Sequence, residues 1–179
     1  MEEYLKIFTE TDDTEFEVRF GTVKNNITKI EFNQVIQKLK SLGFYSYNST
    51  YSLKVQSQFT DLKTGDTKMS SVRTEINGLS SIKDFCKNNN LTDDALNTLP
   101  NISFIKKHGI NRDGKYLKPI DFNDLNFRVS IQEEKELTDR DAIVKTTIKD
   151  WNNTKKTFRL LKRSTFLHKE YALKVDLSI

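Results

Sequence analysis

The sequence is poor in the residues that staple, ligate or anchor a chain. It has a single cysteine, Cys86, among 179 residues, which excludes a disulfide framework and suits a reducing compartment. Its two histidines, His108 and His168, stand alone without metal-ligand spacing, and both are expected at the surface or at strand ends. No apolar run approaches the roughly 18 residues of a membrane span, and the acidic start Met1-Glu2-Glu3 does not resemble a signal peptide. The expectation is an intracellular protein with no membrane partner. A Gly-rich loop ending in Lys-Ser/Thr is also missing, which removes the usual phosphate cradle of nucleotide enzymes. With neither repeats nor low-complexity linkers, one domain over residues 1–179 is expected, large enough to bury an apolar core without staples.

Charge is plentiful. Charged residues make up 30% of the chain against 36% apolar, and the net charge of +4 leans modestly toward polyanionic partners. The clearest placement of that charge is Glu15-Phe16-Glu17-Val18-Arg19-Phe20-Gly21-Thr22. At the two-residue period of a strand, Glu15, Glu17 and Arg19 share one face, and Phe16, Val18 and Phe20 share the other. Two carboxylates roughly 7 Å apart on a rigid element suit one hard cation. An edge strand charged against aggregation is the competing explanation.

After a short lead-in over residues 1–13 and this strand, Thr28 and Glu31 form a capping-box pair. Phe32, Val35, Ile36, Leu39 and Leu42 follow at helical spacing, Gly43 supplies the stop, and the helix is expected to pack outside a sheet. Residues 52–60 alternate, and Lys63-Thr64-Gly65-Asp66 turns the chain into a second strand, Ser71 to Asn77, where Arg73 and Glu75 share a face. Ser81 and Asp84 open a short helix with Ile82, Phe85 and Cys86 on its apolar stripe, so Cys86 is expected to pack rather than react. Thr92 starts another helix with Ala95, Leu96 and Leu99, ended by Pro100.

Ile102 to His108 is expected as a strand with Lys106 and Lys107 on opposite faces, followed by a turn at Arg112-Asp113-Gly114. Between Leu125 and Glu133 the row Leu125, Phe127, Val129 and Ile131 opposes Asn126, Arg128, Ser130 and Gln132. Thr138 to Asp141 suits the cap of a helix running to Trp151, with strand as a competitor because Val144, Thr146, Thr147 and Ile148 favour β structure. Thr157 to Phe166 is a strand with Arg159 and Arg163 on one face, and Ala172 to Ile179 is another, with Lys174, Asp176 and Ser178 opposed to its apolar row. The fold class is α+β, dominated by antiparallel strands with helices on one side. A charged row opposes an apolar row on strand after strand. Either the sheet closes around a charge-lined interior, or it is open with a wet face laced by salt bridges.

Several of these pieces resemble the triphosphate tunnel metalloenzymes, in particular the RNA triphosphatase domain of mRNA capping enzymes from large DNA viruses. Glu15 to Gly21 resembles the family's first strand, and Val72-Arg73-Thr74-Glu75-Ile76 before a short helix resembles its next block. Asn126 to Ser130 resembles a central tunnel strand, while Lys156 to Arg159, Arg163 to Phe166 and Val175 to Ile179 resemble the late strands. The resemblance implies an antiparallel β-barrel, the triphosphate tunnel, with helices packed outside and a Mg²⁺ or Mn²⁺ ion held by glutamates. It assigns Glu15 and Glu17 as metal ligands, and Arg73, Lys106, Arg128, Arg159 and Arg163 as walls gripping the triphosphate. Lys174 and Asp176 map to a late strand, where Asp176 orients a basic group or water. The implied catalytic set is Glu15, Glu17, Arg159 and Asp176, acting on the 5′-triphosphate end of RNA to leave a 5′-diphosphate and phosphate.

One departure stands out. The family's second Glu-x-Glu strand lies near the C-terminal end of the domain, and no such motif lies in the late strands before Ile179, so the sequence is expected to be cut within the barrel. Glu133, Glu134 and Glu136 lie too early to replace it and are expected in a solvated turn. The resemblance also implies linked guanylyltransferase and methyltransferase domains. Asn111-Arg112-Asp113-Gly114 lacks the lysine of a guanylyltransferase Lys-x-Asp-Gly nucleophile, so that activity is expected downstream. Two further functions stay open: a tunnel hydrolase of tripolyphosphate or thiamine triphosphate, and a non-catalytic nucleic-acid-binding β-domain using Arg128, Arg159 and Arg163 on the phosphate backbone.

Overall fold

The computed structural model describes residues 2–10, 14–21, 25–88, 91, 101–112 and 114–179. They divide into two compact units, Met1–Phe44 with Lys107–Lys135 and Tyr45–Lys106 with Glu136–Ile179.

In the first unit the lead-in segment is a helix, α1 (Glu2–Glu10). Tyr4 and Ile7, one turn apart, bury their side chains with Ile110, Leu117 and Ile131, while Phe16 and Ile120 pack against the cluster. The Tyr4 hydroxyl donates to the Lys118 carbonyl at 2.5 Å. Strand β1 (Thr14–Phe20) runs antiparallel to a later strand over Phe127–Leu137, in a register that sets Glu15 opposite Gln132 and Arg19 opposite Arg128. Helix α2 (Lys29–Ser41) carries the expected capping box: the Thr28 amide donates to the Glu31 carboxylate at 2.6 Å, and the Glu31 amide donates to Thr28 Oγ1 at 3.2 Å. None of its residues is buried, because α1 supplies the helix side of this unit's core.

The second unit begins with a hairpin of β2 (Phe44–Thr60) and β3 (Thr67–Asn77), turning where the sequence predicts but starting much earlier, at Phe44. Helix α3 (Leu79–Asn88) starts before Ser81, which is buried inside the helix instead of capping it. Its inward face is Ser81, Ile82 and Phe85, so Cys86, roughly 100° further round the helix, is exposed and does not pack as expected. The Thr92 helix lies outside the described residues. Strand β4 (Ile102–Gly109) follows, its Ile102–Lys106 part paired with β3 and its last residues belonging to the first unit.

The first unit then continues through two-residue strands β5 (Asn111–Arg112) and β6 (Lys115–Tyr116), which pair with each other, and β7 (Ile120–Phe122). A 3₁₀ turn over Asn123–Leu125 and a left-handed Asn126 (φ 48°) precede β8 (Phe127–Leu137), so Leu125 is exposed in the turn and does not join the apolar row. Gly21 (φ +86°) ends β1, donating its amide to Asn126 O at 2.7 Å. A Cβ there would lie 3.1 Å from Asn25 O, so the position needs glycine. β7 and β1 both pair with the start of β8 and therefore flank it on opposite edges.

Beyond β8 the helix wins over the competing strand: α4 (Ala142–Lys149) forms with Asp141 at its N-cap position, and the Asp141 carboxylate accepts from the Thr138 amide at 2.8 Å. A 3₁₀ turn over Trp151–Asn153 leads to β9 (Lys156–His168) and β10 (Lys174–Ser178). In the second unit the hydrogen-bonded order is β4-β3-β2-β9-β10. Leu53, Val55, Val72, Ile76 and Phe104 project from its sheet into a core shared with Ile82, Phe85, Val144 and Trp151 of the helical segments. The antiparallel α+β class and the helix-covered apolar face are as the sequence predicts. Among the described residues no helix is long and apolar enough to cross a membrane.

Candidate functional site

The polar face of β1 and β8 collects charge in the first unit. Glu15 Oε2 pairs with the Lys107 ammonium, which also reaches Glu134 Oε2 at 2.5 Å. Burial pushes the Lys107 pKa down, but its bonds to Glu134 and Glu15 outweigh that and hold it above the ordinary lysine range. Glu134 is displaced upward, first by burial and then by the nearby Glu15 carboxylate, with Lys107 opposing. Two carboxylates thus share one ammonium in a half-buried setting, leaving an excess of negative charge. Next along β1, Glu17 lies 3.6 Å from Arg19 Nε and accepts from Ser130 Oγ at 3.4 Å. Arg128 is clamped by Asp121 of β7, with Nε to Oδ1 at 2.6 Å and Nη2 to Oδ2 at 2.8 Å.

Two of these residues were missed or misplaced by sequence reasoning. The Glu133, Glu134, Glu136 run is not a solvated turn, because β8 continues to the buried Leu137. The available signal was the polar row itself: Gln132, Glu134 and Glu136 carry on the two-residue alternation of Arg128 and Ser130. Lys107, not Lys106, faces the carboxylates. Lys106 sits opposite the buried Val72 and shares the core-side parity of Phe104, a parity legible in Ile102-x-Phe104-x-Lys106. His108 is exposed on its strand, with Nε2 2.5 Å from Glu133 Oε2. His168 ends β9, where its Nδ1 accepts from the Glu170 and Tyr171 amides at 3.1 Å each.

The second unit has charged faces of its own. Arg73 and Glu75 of β3 lie opposite Gln56 and Lys54 of β2. The Glu75 carboxylate pairs with Arg73 and, at 3.1 Å, with Lys54. Burial pushes its pKa up, yet the Arg73 and Lys54 charges prevail and hold it below the usual glutamate range. A depressed folded-state pKa adds stability that is whole above the ordinary glutamate range and is lost as pH falls through the folded value. Glu75→Gln is therefore expected to destabilise the chain by about 1–2 kcal/mol at pH 7. In urea titrations that difference should shrink steadily as pH falls below the ordinary glutamate range, whereas a pH-independent difference would refute the assignment.

On β9 and β10, Arg163 Nε donates to Ser178 Oγ at 3.2 Å, and Thr165 Oγ1 donates to Asp176 Oδ1 at 2.7 Å. Lys174 lies 3.3 Å from Asp176 Oδ2. Burial raises the Asp176 pKa, but the Thr165 hydrogen bond and Lys174 more than offset it, so the carboxyl titrates below its ordinary value. Arg159, exposed, shares the strand parity of Arg163. The structure thus groups Glu15, Glu17 and Arg128 with Lys107 and Glu134 in one unit. In the other it groups Arg73 with Glu75, and Arg163 with Lys174 and Asp176. Among the described residues no group of three or more His, Cys, Asp or Glu side chains converges as a metal site. Where Glu15 and Glu134 come together, the cation between them is the Lys107 ammonium.

No family model and no curated protein matches the sequence. Solved structures do match. The chain is similar to the RNA triphosphatase domain of a trifunctional mimivirus mRNA capping enzyme, with 16% identity, 98% of this chain and 74% of that chain covered, and a TM-score of 0.54. A triclinic crystal structure of the mimivirus capping enzyme triphosphatase is similar at 16% identity over 99% of this chain and 77% of that one, with a TM-score of 0.51. Across nearly its whole length, the chain has the fold of the RNA triphosphatase domain of a viral mRNA capping enzyme.

Proposed function

We propose that this chain is a metal-dependent RNA 5′-triphosphatase, removing the terminal phosphate in the first step of mRNA capping. The observation that carries the reading is the charged face of β1 and β8, where Glu15 and Glu134 share a single ammonium and Glu17 follows on the same face of β1. The fold likeness to a capping triphosphatase supplies the context.

The donor set fits a hard divalent cation in kind. Glu15 and Glu17 offer carboxylate oxygens from one strand face. Mg²⁺ or Mn²⁺ is the proposed ion, held by Glu15 and Glu17. When bound it would neutralise phosphate charge and acidify a water. The chain's own residues do the rest. Lys107, already raised in pKa, stays charged at neutral pH and offers its ammonium to a phosphate oxygen. Arg128 is a fork for bidentate phosphate contact once Asp121 yields it. In the second unit Arg73, Arg159, Arg163 and Lys174 are assigned to phosphate oxygens by their chemistry, and Asp176 holds Lys174 and Thr165 in place. Lys106, on the core-side parity, drops out of the phosphate-binding set.

The test is product analysis with triphosphate-ended RNA and the full chain. Diphosphate-ended RNA and inorganic phosphate are expected with Mg²⁺ or Mn²⁺ and neither with a chelator. Hydrolysis of tripolyphosphate without any of triphosphate-ended RNA would overturn the RNA assignment.

A further inference from the structure

In the second unit the helix side of the sheet is not covered as far as β9. Ser49 Oγ of β2 meets Ser164 Oγ of β9 at 3.1 Å, and the Lys156 ammonium lies over the Trp151 ring. The even-numbered residues of β9 from Lys156 to Ser164 therefore face the side on which Leu53, Val55 and Trp151 form the core. Arg159, Arg163 and Thr165 take the opposite face, where Arg163 bonds Ser178 and Thr165 bonds Asp176. Leu53 and Val55 are buried against the helical segments, whereas Phe158 and Leu160 are 51% and 59% exposed. β10 pairs with β9 from Arg163 to Leu167, and Ile179 bonds Lys162 through both backbone groups. Among the described residues, Phe158 and Leu160 thus lie where β9 is the outermost strand.

Charge decides what this face receives. Between Trp151 and Lys169 the chain has six lysines and arginines and neither aspartate nor glutamate. Lys156 is taken up by the Trp151 ring and the Thr154 carbonyl, and Arg159 and Arg163 belong to the other face. Lys162 is exposed on the Phe158 side, Lys155 is exposed at the start of the strand, and neither forms an ion pair among the described residues. An apolar protein surface seated on Phe158 and Leu160 would have to desolvate Lys162. A polyanion with flat apolar faces satisfies ring and ammonium together, which is the chemistry of a single-stranded nucleic acid. Lys162 follows Phe158 by four residues, roughly 13 Å along the strand. We propose that this outer face of β9 is a docking platform for the body of single-stranded RNA, with Phe158 stacking a base and Lys162 contacting a backbone phosphate. The identity of the strand as RNA rests on the triphosphatase reading. The platform itself does not, because it lies on the face turned away from Arg159 and Arg163.

The test is fluorescence anisotropy on the full chain with a labelled hydroxyl-ended oligoribonucleotide and an abasic oligonucleotide of the same length, beside phosphate release from triphosphate-ended RNA. Phe158→Ala should weaken the oligoribonucleotide about tenfold and leave the abasic strand within about twofold of wild type, since only a base can stack. Phe158→Trp should keep RNA binding. Lys162→Gln should lower the slope of log affinity against log salt by about 0.7, one single-strand phosphate contact. In phosphate release, Phe158→Ala should raise KM for RNA and leave the rate at saturation unchanged. RNA affinity indifferent to Phe158→Ala would overturn the platform and leave the face to a protein partner. Equal weakening of the RNA and the abasic strand, or a salt slope unmoved by Lys162→Gln, would overturn it too. If no phosphate is released from any substrate yet RNA binding still depends on Phe158, the triphosphatase reading fails and the platform stands. Phosphate release with RNA binding indifferent to Phe158 sinks the platform alone.

Discussion

The double variant Glu15→Ala/Glu17→Ala is expected to lower phosphate release from triphosphate-ended RNA by about 10³-fold or more. Its origin is electrostatic. A polyphosphate brings several negative charges to a face that already has an excess of carboxylate, and the proposed divalent cation would reconcile the two. Removing Glu15 and Glu17 removes the proposed ligands while leaving Lys107 paired with Glu134. The fold should survive. Both side chains are about two-fifths exposed, on the edge strand of the first unit, and the residues that seat β1 are Phe16 and its partners in the small core. Thermal unfolding within a few degrees of wild type, together with lost phosphate release, is the expected pair of results. Retention of full rate by a folded double variant would remove these carboxylates from the mechanism.

Trp151→Ala carries the largest expected effect on stability, a loss of about 3–5 kcal/mol. Trp151 is 1% exposed, the largest fully buried side chain among the described residues. It meets Phe85 edge to face with ring centroids 6.0 Å apart, and the Lys156 ammonium lies 4.8 Å over its ring while bonding the Trp151 and Thr154 carbonyls. Truncation would open a cavity where α3, α4 and the sheet of the second unit share their core. The indole N–H, by contrast, is buried with no hydrogen-bond partner among the described residues. Trp151→Phe loses volume but also removes that unsatisfied donor, so its loss should be well under half that of the alanine variant. Denaturant unfolding of the two variants checks the ordering, and comparable losses would show that the N–H, not the ring packing, is what matters there.

How much of this was legible in the sequence depends on which physical signal each element carries. Where a local rule and a tertiary need coincide, the sequence sufficed: the Thr28 and Glu31 box starts α2, and the Arg73 and Glu75 alternation places an ion pair on one face of β3. α1 was missed because, among the described residues, its hold on its unit rests on Tyr4 and Ile7, set between the charged Glu2, Lys6 and Glu10. Cys86 was misplaced because α3 starts at Leu79, and a shift of two residues at the helix start misreads which residues cap and which pack.

The candidate site was legible in kind more than in membership. Glu15 and Glu17 announced themselves by alternation, but Glu134 and Lys107 are recruited by register. Which residues of β4 and β8 meet β1 depends on pairings far apart in sequence, and one residue of parity separates Lys107 from the core-side Lys106. A run such as Glu133-Glu134-Lys135-Glu136 reads locally as a solvated turn, and it takes the alternation that began at Arg128, together with the buried Leu137 beyond it, to carry the strand through.

The central claim is that the charged face of β1 holds a divalent cation, and Mn²⁺ binding measured by electron paramagnetic resonance tests it most directly. The full chain is predicted to take up Mn²⁺ with an affinity that drops at least tenfold in Glu15→Ala/Glu17→Ala. Mn²⁺ uptake that is equal in the wild type and the folded double variant would contradict the account.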